Sequence, residues 1–104
     1  MVSGRIKPKY NAVPTAREKG YHLWLMDTFD CACGCGAVSG VVHHPLTRHP
    51  DQRWRRDHEF VVPMHSFCHM RLHQVGNELK FRPDVRFAEK AWGYRARGYD
   101  AGVL

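Results

Sequence analysis

The chain has 104 residues, the size of one small domain whose hydrophobic core alone gives a modest margin of stability. Its residues are 43% hydrophobic and 25% charged, which excludes a disordered chain, and no apolar run is long enough to cross a bilayer. The formal net charge of +6 favours an anionic partner, most commonly nucleic acid. We therefore expect a folded cytoplasmic protein.

A basic arm and a helix are the first predicted features. Residues 1–14 are rich in lysine and proline and lack apolar periodicity, so we expect an extended arm or a frayed terminus. Thr15 and Glu18 have the spacing of a capping box, which predicts a helix that runs to about Met26 or Asp27. Its apolar residues recur at helical spacing and are interpreted as core.

Two short strands with a long polar loop between them are predicted next. The first covers about residues 38–42 and ends at the adjacent pair His43 and His44. The second covers residues 60–62 and is expected to stop at Pro63, which has no backbone N–H. Together the two strands predict a hairpin.

Two further helices are predicted after the hairpin. Residues 65–73 should form a helix with Ser66 as its cap and an end near Gly76. Residues 82–94 should form a packing helix that begins at a Pro-Asp pair. We expect residues 95–104 to be a loose tail, and we detect no internal repeat.

The cysteines predict a zinc site. Cys31, Cys33 and Cys35 lie within five residues, where disulfides would be strained and thiolate ligation fits a reducing compartment. Glycines between them let the backbone fold tightly around an ion. Downstream, His65 and Cys68 have a short spacing suited to tetrahedral zinc. The predicted ligands are Cys35, His65, Cys68 and either Cys31 or Cys33.

A second metal site is predicted from histidines. His69 and His73 are separated by four positions, which places both imidazoles on one face of a helix within reach of one cation. The pair His43 and His44 at the predicted strand end supplies the other half of this site. His22 and His49 have no partner at ligand spacing, so we expect them to be exposed or locally hydrogen-bonded.

The order of these motifs resembles that of the HNH endonucleases. The similarity rests on Cys35-Gly36, on His43-His44, and on the run from Phe60 to His73. It is greatest to phage-encoded recombination nucleases of the Ref type and spans residues 31–77. The chain differs from the family pattern at three places. Its first knuckle reads C-x-C-x-C, and a histidine stands at position 65 where the pattern has cysteine. His58 occupies the central asparagine-like position.

This resemblance implies a fold and a set of roles. The fold is α+β, a small zinc-stabilised ββα-metal core with flanking helices over residues 15–94. Three histidines would hold a divalent cation, and neither the resemblance nor the ligand chemistry separates Mg²⁺, Mn²⁺, Ni²⁺ and Zn²⁺. His44 would be the general base, with His58 as a second catalytic residue and Asp57 beside it. The cation ligands would be His43, His69 and His73.

The implied activity is metal-dependent DNA cleavage in a bacterial host that carries a phage or prophage. DNA is the expected partner, and a recombinase or another recombination protein is a candidate second partner. A non-catalytic, zinc-stabilised DNA-binding module is the main alternative, and a zinc module for protein interaction is a third. Basic side chains are expected to contact phosphates; they are Arg48, Arg53, Arg55, Arg56 and Arg71.

Overall fold

A computed structural model of the chain describes residues 13–53 and 56–104. Most of the basic arm predicted over residues 1–14 lies outside these ranges, as do Trp54 and the predicted DNA contact Arg55. Within the described residues, no helix is long and apolar enough to cross a membrane.

The architecture is a small mixed α+β fold, which confirms the predicted class. A two-stranded antiparallel sheet packs against helices from both ends of the chain, and a cysteine-rich loop connects the first helix to the sheet. The elements in chain order are α1 (Ala16–Thr28), β1 (Val41–His43), β2 (Val62–Met64), α2 (Ser66–Val75), α3 (Glu78–Phe81) and α4 (Phe87–Asp100).

Helix α1 begins where the capping box predicts. The Thr15 side chain accepts a hydrogen bond from the amide of Glu18, and the Glu18 carboxylate accepts one from the amide of Thr15. Two otherwise unpaired donors at the helix start are thereby satisfied. The buried face of α1 presents Tyr21, His22 and Leu25 to the rest of the domain.

The hairpin is shifted relative to the prediction. Strand β1 pairs with β2 in antiparallel register, with Val42 opposite Pro63. Pro63 therefore lies inside the strand and does not stop it, so the predicted strand over residues 60–62 was wrong. The Pro63 carbonyl accepts a hydrogen bond from the amide of Ala32 on the side away from β1. Because the nitrogen and the carbonyl of a strand residue point to the same side, the ring nitrogen of Pro63 also faces away from β1. The pairing of the two strands therefore loses no hydrogen bond at Pro63.

Helix α2 is capped by His65, and the prediction that Ser66 is the cap was wrong. The Nδ1 atom of His65 accepts a hydrogen bond from the amide of Phe67, while Ser66 is the first helical residue. Gly76 ends the helix in the left-handed conformation, with φ of 73°, as predicted. The short helix α3 follows with Asn77 as its cap, and the sequence pattern did not predict it.

Helix α4 lies further along the chain than predicted and includes most of the expected loose tail. It begins at Phe87 and continues to Asp100, after which Leu104 is buried and its amide bonds to the carbonyl of Gly98. At Gly98 the helix passes so close to α1 that an added Cβ would lie 2.7 Å from Cε1 of Tyr21. This close approach holds the C-terminal segment in the fold.

The hydrophobic core has two parts that meet at β2. Val61 packs with Tyr21 and Leu25 of α1, whereas Val62 belongs to the cluster that contains Phe87 of α4 and the buried cysteines. Consecutive residues of an extended segment point to opposite faces, so this short segment connects both parts of the core.

We predict that Gly98→Ala destabilises the protein by about 1–3 kcal/mol, because the new methyl group would overlap the Tyr21 ring. Gly93→Ala is the matched control. Gly93 lies in the same helix with nothing within 4 Å of its Cβ position, so alanine there should stabilise the helix by about 0.5–1 kcal/mol. Urea unfolding of both variants measures the difference, and equal stabilities would contradict the packing at Gly98.

Candidate functional site

A tight loop presents the first three cysteines. An isolated bridge between Asp30 and Val38 closes the loop, and the amide of Cys31 bonds to the carbonyl of Ala37. Gly34 and Gly36 adopt φ values of 86° and 84°, a conformation that a residue with a Cβ rarely adopts. Gly34 therefore lets the chain turn between Cys33 and Cys35, and Gly36 lets it turn just after Cys35.

Four thiols meet where this loop contacts the start of α2. The Sγ atom of Cys33 lies 3.3 Å from that of Cys31 and 3.7 Å from that of Cys68, and the Cys35 and Cys68 sulfurs are 3.6 Å apart. All four ligand atoms lie within 4.8 Å of one another. Four thiolates in this arrangement are a tetrahedral donor set that can hold a metal ion such as zinc.

The thiols differ in their readiness to ionise. A hydrogen bond from the Ala37 backbone lowers the pKa of Cys35 to about 7, whereas burial raises the pKa of Cys68 to about 11 and also raises that of Cys33. A bound cation favours the thiolate form of each ligand. The guanidinium of Arg82 donates two hydrogen bonds to the Cys33 carbonyl, at 2.6 and 3.1 Å. This contact places the positive charge of Arg82 beside the cluster.

This arrangement refines the predicted zinc ligands. The sequence left open whether Cys31 or Cys33 would bind, and the structure brings both into the cluster. His65, the other predicted ligand, lies outside the group of four thiols and uses Nδ1 to cap α2.

The predicted histidine group is also assembled. His43 at the end of β1 faces His69 and His73 of α2, and the three ligand atoms lie within 4.8 Å of one another. The Nε2 atoms of His69 and His73 are 3.0 Å apart, as expected for imidazoles one helical turn apart. Burial, followed by the neighbouring His43 and His73, lowers the pKa of His69 to about 4, so its lone pair is available to a cation at neutral pH.

His43 is the buried member of this group. Its side chain is 1% exposed, and its Nε2 atom lies 2.7 Å from the Glu78 carboxylate. The other ring nitrogen, Nδ1, is buried and has no hydrogen-bond partner among residues 13–53 and 56–104. An unpaired buried nitrogen costs free energy, and a cation shared with His69 and His73 would remove that cost. These donors therefore fit a divalent cation.

A second set of histidines adjoins the first. The Nε2 atom of His44 lies 2.8 Å from Nδ1 of His58, which is itself buried. The backbone carbonyl of His58 accepts a hydrogen bond from Nε2 of His22, at 2.7 Å. Burial, followed by the nearby positive charge of Arg56, lowers the pKa of His44 to about 3, so this imidazole is neutral at physiological pH.

His58 and Asp57 make different contacts. His58 contacts His44, whereas the Asp57 carboxylate accepts hydrogen bonds from the amides of Arg53 and Glu59 and so shapes the loop. His22, expected to be exposed or locally bonded, is instead buried against His58, because helix α1 packs on this loop. His49 follows its expectation, since its Nδ1 atom accepts a hydrogen bond from the amide of Asp51.

These groups line a cleft of about 540 Å³. Its lining includes His22, His44, His58, His69 and His73 together with Arg56. Of the other predicted DNA contacts that are described, Arg48 lines a separate cavity, while Arg53 and Arg71 are exposed on the surface.

Sequence reasoning missed Glu78 and had only an indirect sign of His22. Glu78 begins a helix that the sequence pattern did not predict, and nothing in its local sequence indicates a contact with a histidine 35 residues earlier. His22 lies four positions after Glu18 on the buried face of α1, so helical periodicity could have identified it as buried.

We predict that the purified protein carries one tightly bound zinc and that Cys31→Ser and Cys33→Ser each lose it. Both thiols belong to the cluster, and a structural zinc contributes on the order of 10 kcal/mol to the folded state. Elemental analysis and thermal unfolding measure the loss. His65→Ser is the matched control, because serine can cap α2 and the four thiols remain. Loss of zinc in the control, or its retention in either cysteine variant, would contradict the four-thiol site.

Comparison with known proteins adds no assignment to this geometry. No protein-family model, curated protein or solved structure matches the chain.

Proposed function

We propose that this protein is a metal-dependent DNA endonuclease of the HNH type, with a structural zinc and a separate catalytic cation. The observation that carries the proposal is His44, a neutral imidazole beside a cation-binding group and inside an open cleft. A structural metal module needs no such group. The fold supports the same reading, because a two-stranded hairpin and the helix that follows it supply the three histidines.

His43, His69 and His73 would hold the catalytic cation. When bound, a divalent cation there neutralises charge on the scissile phosphate and on the leaving 3′ oxygen. Three imidazoles without a carboxylate ligand accept several divalent ions, so the donor set leaves Mg²⁺, Mn²⁺, Ni²⁺ and Zn²⁺ as candidates.

His44 would act as the general base. If its Nε2–H donates to Nδ1 of His58, the Nδ1 lone pair of His44 is free to take a proton from water. The water oxygen then bonds to phosphorus as the bond to the 3′ oxygen breaks, and the leaving oxygen takes a proton from solvent. A phosphate near Arg56 would offset the charge that depresses the pKa of His44 and strengthen the base.

The cleft favours an anionic polymer. Arg56 is exposed at its lining, and the chain carries a formal net charge of +6. Each phosphate that such side chains neutralise makes the affinity more sensitive to salt. Two parts of this proposal rest on the family resemblance alone. They are a role in phage DNA recombination or processing and a recombinase as partner.

We predict that the zinc-loaded protein nicks supercoiled plasmid in at least one of Mn²⁺, Mg²⁺, Ni²⁺ and Zn²⁺, and that His44→Ala lowers the rate by about 10²-fold or more. Plasmid affinity and binding of the second cation should stay near wild type in this variant, because His44 is not in the ligand group. His73→Ala should lose cleavage together with binding of the second cation. Plasmid nicking and calorimetric metal titration separate the two effects.

The control for this experiment is His49→Asn, which keeps a side-chain acceptor for the amide of Asp51 and lies outside the cleft. It should nick plasmid at nearly the wild-type rate. Wild-type cleavage by His44→Ala would exclude His44 as the base. Failure of the wild type to cut plasmid, branched DNA or single-stranded DNA with any of these metals would favour the DNA-binding module without hydrolytic activity.

A further inference from the structure

Glu78 is a buried carboxylate that the proposed mechanism does not use. Its side chain is 6% exposed, and it lies in the first turn of α3, beyond the helix that carries His69 and His73. A buried carboxylate is costly unless hydrogen bonds or a positive charge compensate it. The partners of Glu78 therefore indicate why it is there.

Those partners all belong to the segment that carries the catalytic histidines. One oxygen of Glu78 accepts hydrogen bonds from Nε2 of His43 at 2.7 Å and from the amide of Leu46 at 2.8 Å. The other oxygen accepts a longer bond, of 3.4 Å, from the amide of Thr47. Glu78 thus fixes the His43 ring and the chain just after His44.

The hydrogen bond to Glu78 determines which nitrogen of His43 carries the proton. A carboxylate accepts, so Nε2 must be the donor, and in a neutral ring Nδ1 then carries a lone pair. The contact with Glu78 therefore assigns the proton to Nε2 and leaves Nδ1, which is buried and makes no hydrogen bond to the described residues, as the atom that can bind a cation.

Glu78 lies behind His43 and is not itself a ligand of the site. The group of ligand atoms within 4.8 Å of one another contains His43, His69 and His73 and does not include the Glu78 carboxylate. A carboxylate that accepts the distal N–H of a ligating histidine orients the ring and increases its basicity. A cation on the far side of the ring would in turn stabilise the buried negative charge.

We propose that Glu78 is the positioning residue of the second cation site, where it holds the Nε2–H form of His43 and leaves the Nδ1 lone pair to bind the metal. This inference rests on the proposed function, since it requires a cation at the three histidines. A purely structural Glu78 would need only to accept the two loop amides, a role that gives no reason for its short contact with His43.

Metal titration tests the proposal directly. Ni²⁺ and Co²⁺ are titrated calorimetrically into the zinc-loaded wild type, into Glu78→Gln and into Glu89→Gln, an exposed glutamate of α4 that serves as the matched control. We expect Glu78→Gln to bind the second cation roughly 10- to 100-fold more weakly and Glu89→Gln to bind like the wild type. Equal affinity in Glu78→Gln and the wild type would overturn the role of Glu78.

A measurement on the unmodified protein keeps the proposal testable if Glu78→Gln fails to fold. Nitrogen-15 NMR of the zinc-loaded wild type, without a second cation, should show His43 as the Nε2–H tautomer. The Nδ1–H tautomer would overturn the proposal. The wild type could also show the Nε2–H tautomer of His43 and yet bind neither Ni²⁺ nor Co²⁺ at the histidines. That result would contradict the catalytic cation of the proposed function, and with it the role of Glu78 at a cation site, while the contact between Glu78 and His43 would stand.

Discussion

Contact between the cysteine loop and the first turn of α2 is the constraint on which the rest of this structure depends. Cys68 is the only one of the four clustered cysteines on α2, and its sulfur lies 3.6 Å from that of Cys35 and 3.7 Å from that of Cys33. Without a cation, these thiols contribute little more than packing. With zinc bound, they would fix α2 against a loop that is itself bonded to β2 through Ala32 and Pro63.

The position of α2 then determines the histidine site. His69 follows Cys68 directly, so the two side chains point in directions about 100° apart around the helix axis. The His69 ring therefore faces β1 while the Cys68 thiol faces the loop. His73 lies one turn later on the same side, and both rings contact His43, with ring centroids 5.2 and 5.6 Å from it. One short helix therefore carries two kinds of candidate ligand, a soft thiol on one side and two imidazoles on the other.

Local signals in the sequence were enough for much of this arrangement. The capping box placed the start of α1, and the glycine at position 76 placed the end of α2. Ligand spacing identified the three clustered histidines, and it identified the cysteine cluster except that it included His65 and counted only one of Cys31 and Cys33. The remaining features depend on long-range contacts that no local pattern reports. Pro63 fits a strand because its nitrogen faces an open edge, α4 continues because Gly98 packs on Tyr21, and Glu78 reaches His43 from a distant helix.

Anomalous X-ray scattering would show whether this one small chain binds two chemically different ions, as we propose. Crystals of the zinc-loaded protein soaked in Ni²⁺ would be measured at the absorption edges of both metals. We expect a zinc peak surrounded by the sulfurs of Cys31, Cys33, Cys35 and Cys68, and a nickel peak bound by Nδ1 of His43 and by His69 and His73. A single ion bound by a mixture of thiols and imidazoles, or the absence of any ion at the histidines, would contradict this proposal.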